Sequence, residues 1–205
     1  MLFTDEFRSI QKTSFGEYKE KGSLFKAYAV PVSTELQVKA SLAQIKEEHP
    51  KANHHCYAFV LGPGQQSYRF NDDHEPSGTA GRPIYNAIKS ADLTNILIVV
   101  VRYFGGTLLG VQGLIRSYRS AAENAIDKAE IITTPITERF SIAFPYERTG
   151  DIENLLVKSK AAVLDRKMEQ QCTWTVEIPK AFAQDVFNQI ANKFPLKIDC
   201  IISRI

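Results

Sequence analysis

Six consecutive apolar residues, Ile96 to Val101, run without interruption into Arg102 and a glycine-rich turn. The run is far shorter than the roughly 20 residues of a membrane span, and it has no polar alternation, so it predicts a strand buried on both faces of a sheet. Arg102 and Tyr103 fall at its carboxyl end, where Gly105, Gly106 and Gly110 let the backbone turn tightly and lie bare to a neighbour. From Val111 onward, Leu114, Ile115, Tyr118, Ala121, Ala122, Ala125 and Ile126 recur at helical spacing, leaving Arg116, Arg119, Glu123 and Lys128 largely on the other face. A strand, glycine turn and helix in this order present free N–H groups and a positive helix end to an anion. They serve equally to pack a helix closely on a strand, and neither G-x-G-x-x-G nor G-K-[ST] is present to choose between the two.

The residues before this segment predict more β-structure. Gly16 to Lys19 and Ser23 to Val30 read as strands joined by Glu20-Lys21-Gly22, a hairpin signal. Pro31 ends the second strand, and Ser33 or Thr34 caps a helix with Leu36, Ala40, Leu42, Ala43 and Ile45 on one face before Pro50 stops it. Ala52 to Leu61 is a third strand, and Gly62-Pro63-Gly64 turns the chain into Ser67 to Phe70, which pairs with it antiparallel. A polar stretch, NDDHEPSGTAGRP, leads to a short helix near Pro83 to Ser90, and Ile131 to Thr133 is the last strand of this half.

At Thr133-Thr134-Pro135 a second set of elements begins. Strands are expected at Thr137 to Phe144, Ala162 to Glu169, Cys172 to Ile178 and Lys197 to Ser203, with helices at Tyr146 to Ser159 and Lys180 to Phe194. The order β-α-β-β-α-β is that of the ferredoxin-like plait, a fold that hosts many unrelated activities. The chain is therefore expected to be an α+β protein of two domains, residues 1–134 and 135–205, since 205 residues exceed the usual ~100 to 150 of one domain.

Composition excludes several classes. Nothing approaches a spanning helix, and the N-terminus has no apolar core segment of a signal peptide, so a cytoplasmic protein without membrane attachment is expected. Cys56, Cys172 and Cys200 are odd in number and lack C-x-x-C spacing, which fits reduced, buried thiols rather than a disulfide framework or zinc site. The net charge of +2 is evenly spread, 15 basic against 14 acidic residues in 1–134 and 10 against 9 in 135–205, so any nucleic-acid surface must be a local patch.

Candidate chemistry gathers in Asn71 to Pro83 and Arg102 to Arg116. Asp72, Asp73, His74 and Glu75 put three carboxylates and an imidazole in succession, but the calcium-loop pattern is missing and no further regularly spaced ligands follow. The carboxylates are better read as caps of the next helix and partners of Arg82 or Arg102. Ser77 lacks the G-x-S-x-G elbow of a nucleophile. His54 and His55 are adjacent on a strand and point to opposite faces, so at most one of them meets the Asp72 loop. Because Arg82 and Arg102 need carboxylates if buried, the Asp72 and Arg102 segments are expected to come together. No metal, cofactor or catalytic residue is called for.

The stretches DDHEPSGTAGRP and VVVRYFGGTLLGVQGLIRSYRSA together resemble the YigZ/IMPACT family, and ANHHCYAF resembles its histidine-cysteine strand. The resemblance implies an N-terminal domain of the ribosomal-protein-S5 domain 2-like fold, followed by the ferredoxin-like C-terminal domain of bacterial members. The sequence departs from the family pattern at His74, where a glycine is usual, and at Val111-Gln112, where small residues are usual. Eukaryotic relatives are translation regulators with a different second domain, and the two-domain arrangement is similar to the last domains of the ribosomal translocase.

Three functions follow. The preferred one is a non-enzymatic protein that binds RNA, the ribosome or a translation factor through Arg102, Arg116, Arg119 and the glycine loop, with Tyr103 and Phe104 free to stack. The second is an enzyme acting on a small phosphorylated or peptide-like substrate between the Asp72 and Gly105 loops. The third is a protein-interaction module whose polar motif is purely structural. The oligomeric state is left open.

Overall fold

The computed structural model describes residues 5–169, 171–193 and 201–204. The chain divides into two compact units: Phe7–Thr134, and Pro135–Ile205 together with the residues up to Glu6. Asp5 and Glu6 therefore leave the first domain in which the sequence placed them. The Ile136 N–H donates to the Asp5 carbonyl at 2.7 Å, and Lys180 Nζ lies 3.7 Å from the Asp5 carboxylate.

The first unit holds β1 (Glu6–Ile10) from Phe7 on, β2 (Ser14–Glu20), β3 (Ser23–Pro31), α1 (Glu35–Glu48), β4 (His54–Leu61), β5 (Ser67–Asn71), α2 (Gly81–Ser90), β6 (Ile96–Tyr103), α3 (Gly110–Asp127) and β7 (Ile131–Pro135) as far as Thr134. Strands β2-β3-β6-β4-β5 form one sheet with every neighbouring pair antiparallel. β6 lies at its centre, which explains its unbroken apolar sequence. Ile96, Ile98 and Val100 pack with Phe25, Ala27, Cys56 and Ala58 under α2 and α3, while Leu97, Val99 and Val101 pack with Val38, Ile45, Phe59 and Leu61 under α1. The β2–β3 hairpin turns through Lys21 and Gly22, both at positive φ (44° and 80°), as a two-residue turn between twisted strands requires.

Thr34 caps α1, its hydroxyl accepting from Gln37 N–H at 3.2 Å. The inward stripe of α1 is Val38, Leu42 and Ile45, whereas Leu36, Ala40 and Ala43 are exposed, so the face expected for this helix is shifted. α1 crosses the sheet on a narrow line of i, i+4, i+7 positions, and apolar residues off that line stay in water. β1, which the sequence did not announce, pairs with β7.

The second unit runs β8 (Thr137–Phe144), a 3₁₀ turn (Tyr146–Arg148), α4 (Thr149–Lys158), β9 (Ala162–Met168), β10 (Cys172–Pro179), α5 (Lys180–Lys193) and β11 (Ile201–Arg204), with sheet order β11-β8-β10-β9 and antiparallel neighbours. Phe140, Ile142, Phe144, Trp174, Val176 and Ile178 alternate inward from β8 and β10 against Ile152, Leu155 and Leu156 of α4 and Val186 and Ile190 of α5. Phe194, Lys197 to Cys200 and hence part of the expected last strand lie outside the described residues. Among the described residues no helix is long and apolar enough to cross a membrane, and Cys56 and Cys172 are buried free thiols.

Candidate functional site

The polar stretch after β5 is fixed first by Asp72. Its Oδ1 accepts from the backbone N–H groups of Ala80 (3.0 Å) and Gly81 (2.8 Å), and its Oδ2 accepts from Gly78 N–H (2.9 Å). These are orphan donors at the start of α2, whose own capping position, Ala80, has no side-chain acceptor. Asp73 turns the other way: its Oδ2 accepts from His55 N–H at 2.7 Å, and its carbonyl accepts from His54 Nδ1 at 2.8 Å. To do this Asp73 and His74 both take positive φ, 40° and 71°, a conformation that glycine adopts more readily than either.

Glu75 turns inward, to the carboxyl end of β6. Its Oε1 accepts from Arg102 Nη1 at 2.6 Å and from the Tyr118 hydroxyl at 2.7 Å, and His54 Nε2 stands 3.8 Å away. The Glu75 and Arg102 side chains are 3% and 6% exposed, so this is a buried ion pair. Arg102 Nη2 reaches Ser23 Oγ at 3.5 Å, its guanidinium carbon lies 5.5 Å from the ring centres of both Phe25 and Phe104, and its Nε is buried without a hydrogen-bond partner among the described residues. The Cys56 thiol has one proton for two acceptors, the Asp72 carbonyl at 3.0 Å and Tyr118 Oη at 3.3 Å. Burial pushes the Cys56 thiol and the Tyr118 phenol up, well above their ordinary ranges, and the neighbouring Glu75 adds to both shifts. Both groups are therefore neutral hydrogen-bonding parts of the wall rather than nucleophiles at ordinary pH.

The glycine loop closes the site. Gly105 N–H donates to Ser23 Oγ at 3.2 Å, and a Cβ on Gly105 would stand 1.9 Å from the Gly22 carbonyl carbon, so only glycine fits against the β2–β3 turn. Gly106 and Gly110 have positive φ (85° and 68°) with open space around them. Phe104 N–H donates to Asn53 Oδ1 at 2.9 Å. Outside this frame the loop is apolar: Phe104 and Val111 are exposed, and Leu108 is 85% exposed.

The Asp72 and Arg102 segments thus meet, through Glu75. His54 and Gly105 join them, and His55 also reaches this loop, its Nδ1 3.9 Å from Asp73 Oδ2, so both histidines meet it where at most one was expected; the remaining expected members separate. Arg82 is exposed, and Ser77 is exposed with no base in hydrogen-bonding reach among the described residues. Tyr103 leaves β6 on the α1 side, where its hydroxyl is 2.8 Å from His49 Nδ1, and His49 Nε2 bonds the Tyr28 hydroxyl. Arg119 pairs with Glu123 at 2.7 Å, and Arg116 leans toward Glu20 at 3.8 Å. Arg102 is neutralised inside, so Arg102, Arg116 and Arg119 do not form an open phosphate-facing patch. No group of three His, Cys, Asp or Glu side chains able to hold a metal gathers among the described residues. Tyr118, Cys56 and Ser23 were not anticipated. One signal was available, since a tyrosine on the apolar stripe of α3 must find a buried partner for its hydroxyl.

The fold and this network define an α+β protein in which a buried carboxylate–guanidinium pair locks two loops at one end of a five-stranded sheet. The Impact N-terminal domain matches residues 21–126, and the chain belongs to the IMPACT family. It is 36% identical over 152 residues to an IMPACT family member of Haemophilus influenzae, covering 73% of this chain and 74% of that protein. It is 32% identical over 157 residues to the Escherichia coli IMPACT family member YigZ, covering 75% and 76%. A solved crystal structure of a hypothetical protein superposes with a TM-score of 0.77 at 25% identity, covering 99% of this chain and 98% of that one.

Proposed function

We propose that this chain is a non-enzymatic cytosolic binding protein whose first unit docks a protein of the translation apparatus through the crest formed by Phe104, Leu108 and Val111. The observation that carries this reading is the division of labour within the site: its charges are engaged inward, Glu75 on Arg102 and Tyr118, while its exposed loop is apolar. An exposed apolar patch framed by rigid loops favours association with protein, and a phosphate-binding patch would need the opposite distribution. The translation side rests on the family resemblance of the motifs. The sheet order β11-β8-β10-β9 supports a ferredoxin-like reading of the second unit, and the helix placement about the five-stranded sheet accords with an S5 domain 2-like reading of the first.

Co-sedimentation with purified ribosomes across a salt series tests the proposal. Apolar docking predicts that binding survives as salt rises, is lost with Leu108→Asp, and is unchanged by Arg116→Ala. Binding that falls steeply with salt and loses slope with Arg116→Ala would replace this reading with polyanion binding. No co-sedimentation at any salt would remove the ribosome as the partner.

A further inference from the structure

We infer that the outer surface of β5 and α2 is a binding platform for single-stranded nucleic acid, a surface separate from the loop crest and independent of the reading above. β5 ends the five-stranded sheet, every one of its residues is exposed, and one side of its backbone has no strand partner among the described residues. Tyr68 and Phe70 rise from it on the face that pairs with Val60 and Ala58, toward α2. There the Tyr68 ring stacks on Tyr85 with centroids 4.8 Å apart and planes 25° apart, and Phe70 lies 5.8 Å from Tyr85 at 36°. Tyr68 is nonetheless 53% exposed, so a stack of rings presents an open face to solvent.

Cations flank the rings. Arg82 precedes Tyr85 by three residues and Lys89 follows it by four, so both share its side of α2, with roughly 10 Å of helix between them. Both are exposed, as is Arg69 on the reverse face of β5. Segments 62–71 and 81–90 contain these three cations and no Asp or Glu. None of the three has an ion-pair partner among the described residues, whereas Lys12, Lys19, Arg119 and Arg139 all have one. The bordering acids are occupied, Asp72 by three backbone N–H groups and Asp92 by Gln65 Nε2 at 3.1 Å.

Near-parallel aromatic faces beside unpaired cations fit a ligand that alternates flat rings with negative charge, as a single nucleic-acid strand does. A duplex hides its base faces in its own stack, and an acidic peptide would use the cations and leave the rings without a role.

Fluorescence anisotropy with labelled U12, dT12, a 12-base-pair duplex and an oligoglutamate peptide, read on the full chain at low salt, tests the inference. Binding of U12 or dT12 above the duplex and the peptide is expected. A preference for U12 assigns RNA, and parity assigns any single strand. Tyr68→Ala, at a half-exposed position, should weaken binding roughly 5- to 100-fold while the protein stays folded at the assay temperature, its melting point lowered only by the loss of the Tyr85 stack. Arg82→Gln with Lys89→Gln should lower the slope of log affinity against log salt by about 1.4, at about 0.7 per phosphate contact. Leu108→Asp should change neither. The inference is overturned if no single strand binds at low salt, if duplex or oligoglutamate binds as well, if Tyr68→Ala has no effect, or if Leu108→Asp abolishes binding.

Discussion

Glu75→Gln is the sharpest perturbation of the first unit, because it keeps the side-chain shape and removes only the charge. In the native site, Oε1 takes a 2.6 Å bond from Arg102 and a 2.7 Å bond from Tyr118, with both ionic side chains almost wholly out of water. An amide oxygen still accepts from Tyr118, but Arg102 is left as an uncompensated buried cation. Breaking a buried pair by removing one partner costs about 3 to 5 kcal/mol. At roughly 3 to 4 °C per kcal/mol for a unit of this size, the first unit should melt on the order of 10 to 20 °C lower. The assay has an internal control. Trp174, the chain's one tryptophan, is in the second unit, so its fluorescence transition should stay in place while the circular-dichroism transition of the first unit moves. Glu75→Leu with Arg102→Met should recover most of the loss, since it leaves neither charge buried. A Glu75→Gln protein melting within about 2 °C of the parent would refute the claim that the pair holds the two loops.

Gly105→Ala should destabilise the first unit far more than Gly106→Ala in urea titrations, since the former drives a Cβ into the Gly22 backbone and the latter costs only about 1 kcal/mol of unfavourable φ. Burial pushes His49 and His55 below the ordinary histidine range, so on acidification the unfolded chain takes up protons first. Their stability contribution is full above about pH 6.5 and is lost as pH falls toward the folded values. The urea midpoint of the first unit should therefore drop between pH 7.5 and 5, and His55→Gln should narrow that drop. Cutting the chain at Pro135 should give two soluble fragments that each unfold cooperatively; if neither does, the halves share one core.

Where a structural signal was local, it was readable. The central position of β6 followed from six apolar residues without alternation, the β2–β3 turn from Lys21-Gly22, and the start of α1 from Thr34. Strand parity was also available and separates Arg102 from Tyr103 on the sequence alone, because adjacent strand residues face opposite ways. What was not readable depends on partners far along the chain. β1 has a weak pattern and exists as a strand by pairing with β7, which lies at the far end of the same unit's sequence. That Glu75 rather than Asp72 or Asp73 meets Arg102 depends on the positive φ of Asp73 and His74, which turns the loop between one carboxylate and the next. At His74 the residue type gave no notice of that turn, since the glycine that would have marked it is absent.

Charge is the property for which a whole-domain count says least about position. Fifteen basic against fourteen acidic residues in 1–134 describe an almost neutral half, which requires any nucleic-acid surface to be a local patch but does not say where it lies. The count treats each cation as equal, but ion pairing is short-ranged and exposed charges are screened beyond about 8 to 10 Å. Arg102 contributes nothing outside, because Glu75 neutralises it in the interior, and Arg119 is matched by Glu123 one turn along its own helix. Most of the acids of this half lie on α1, on α3, on the β2–β3 hairpin and in the turns that border β5 and α2, so the near-zero sum leaves segments 62–71 and 81–90 with cations and no Asp or Glu of their own. The motif's buried charges and the exposed cations of β5 and α2 therefore do different work, although Arg82 lies in the DDHEPSGTAGRP stretch and belongs to both. Changes at Glu75 and Arg102 would read stability, Leu108→Asp would read apolar docking, and the Tyr68, Arg82 and Lys89 series would read an electrostatic ligand.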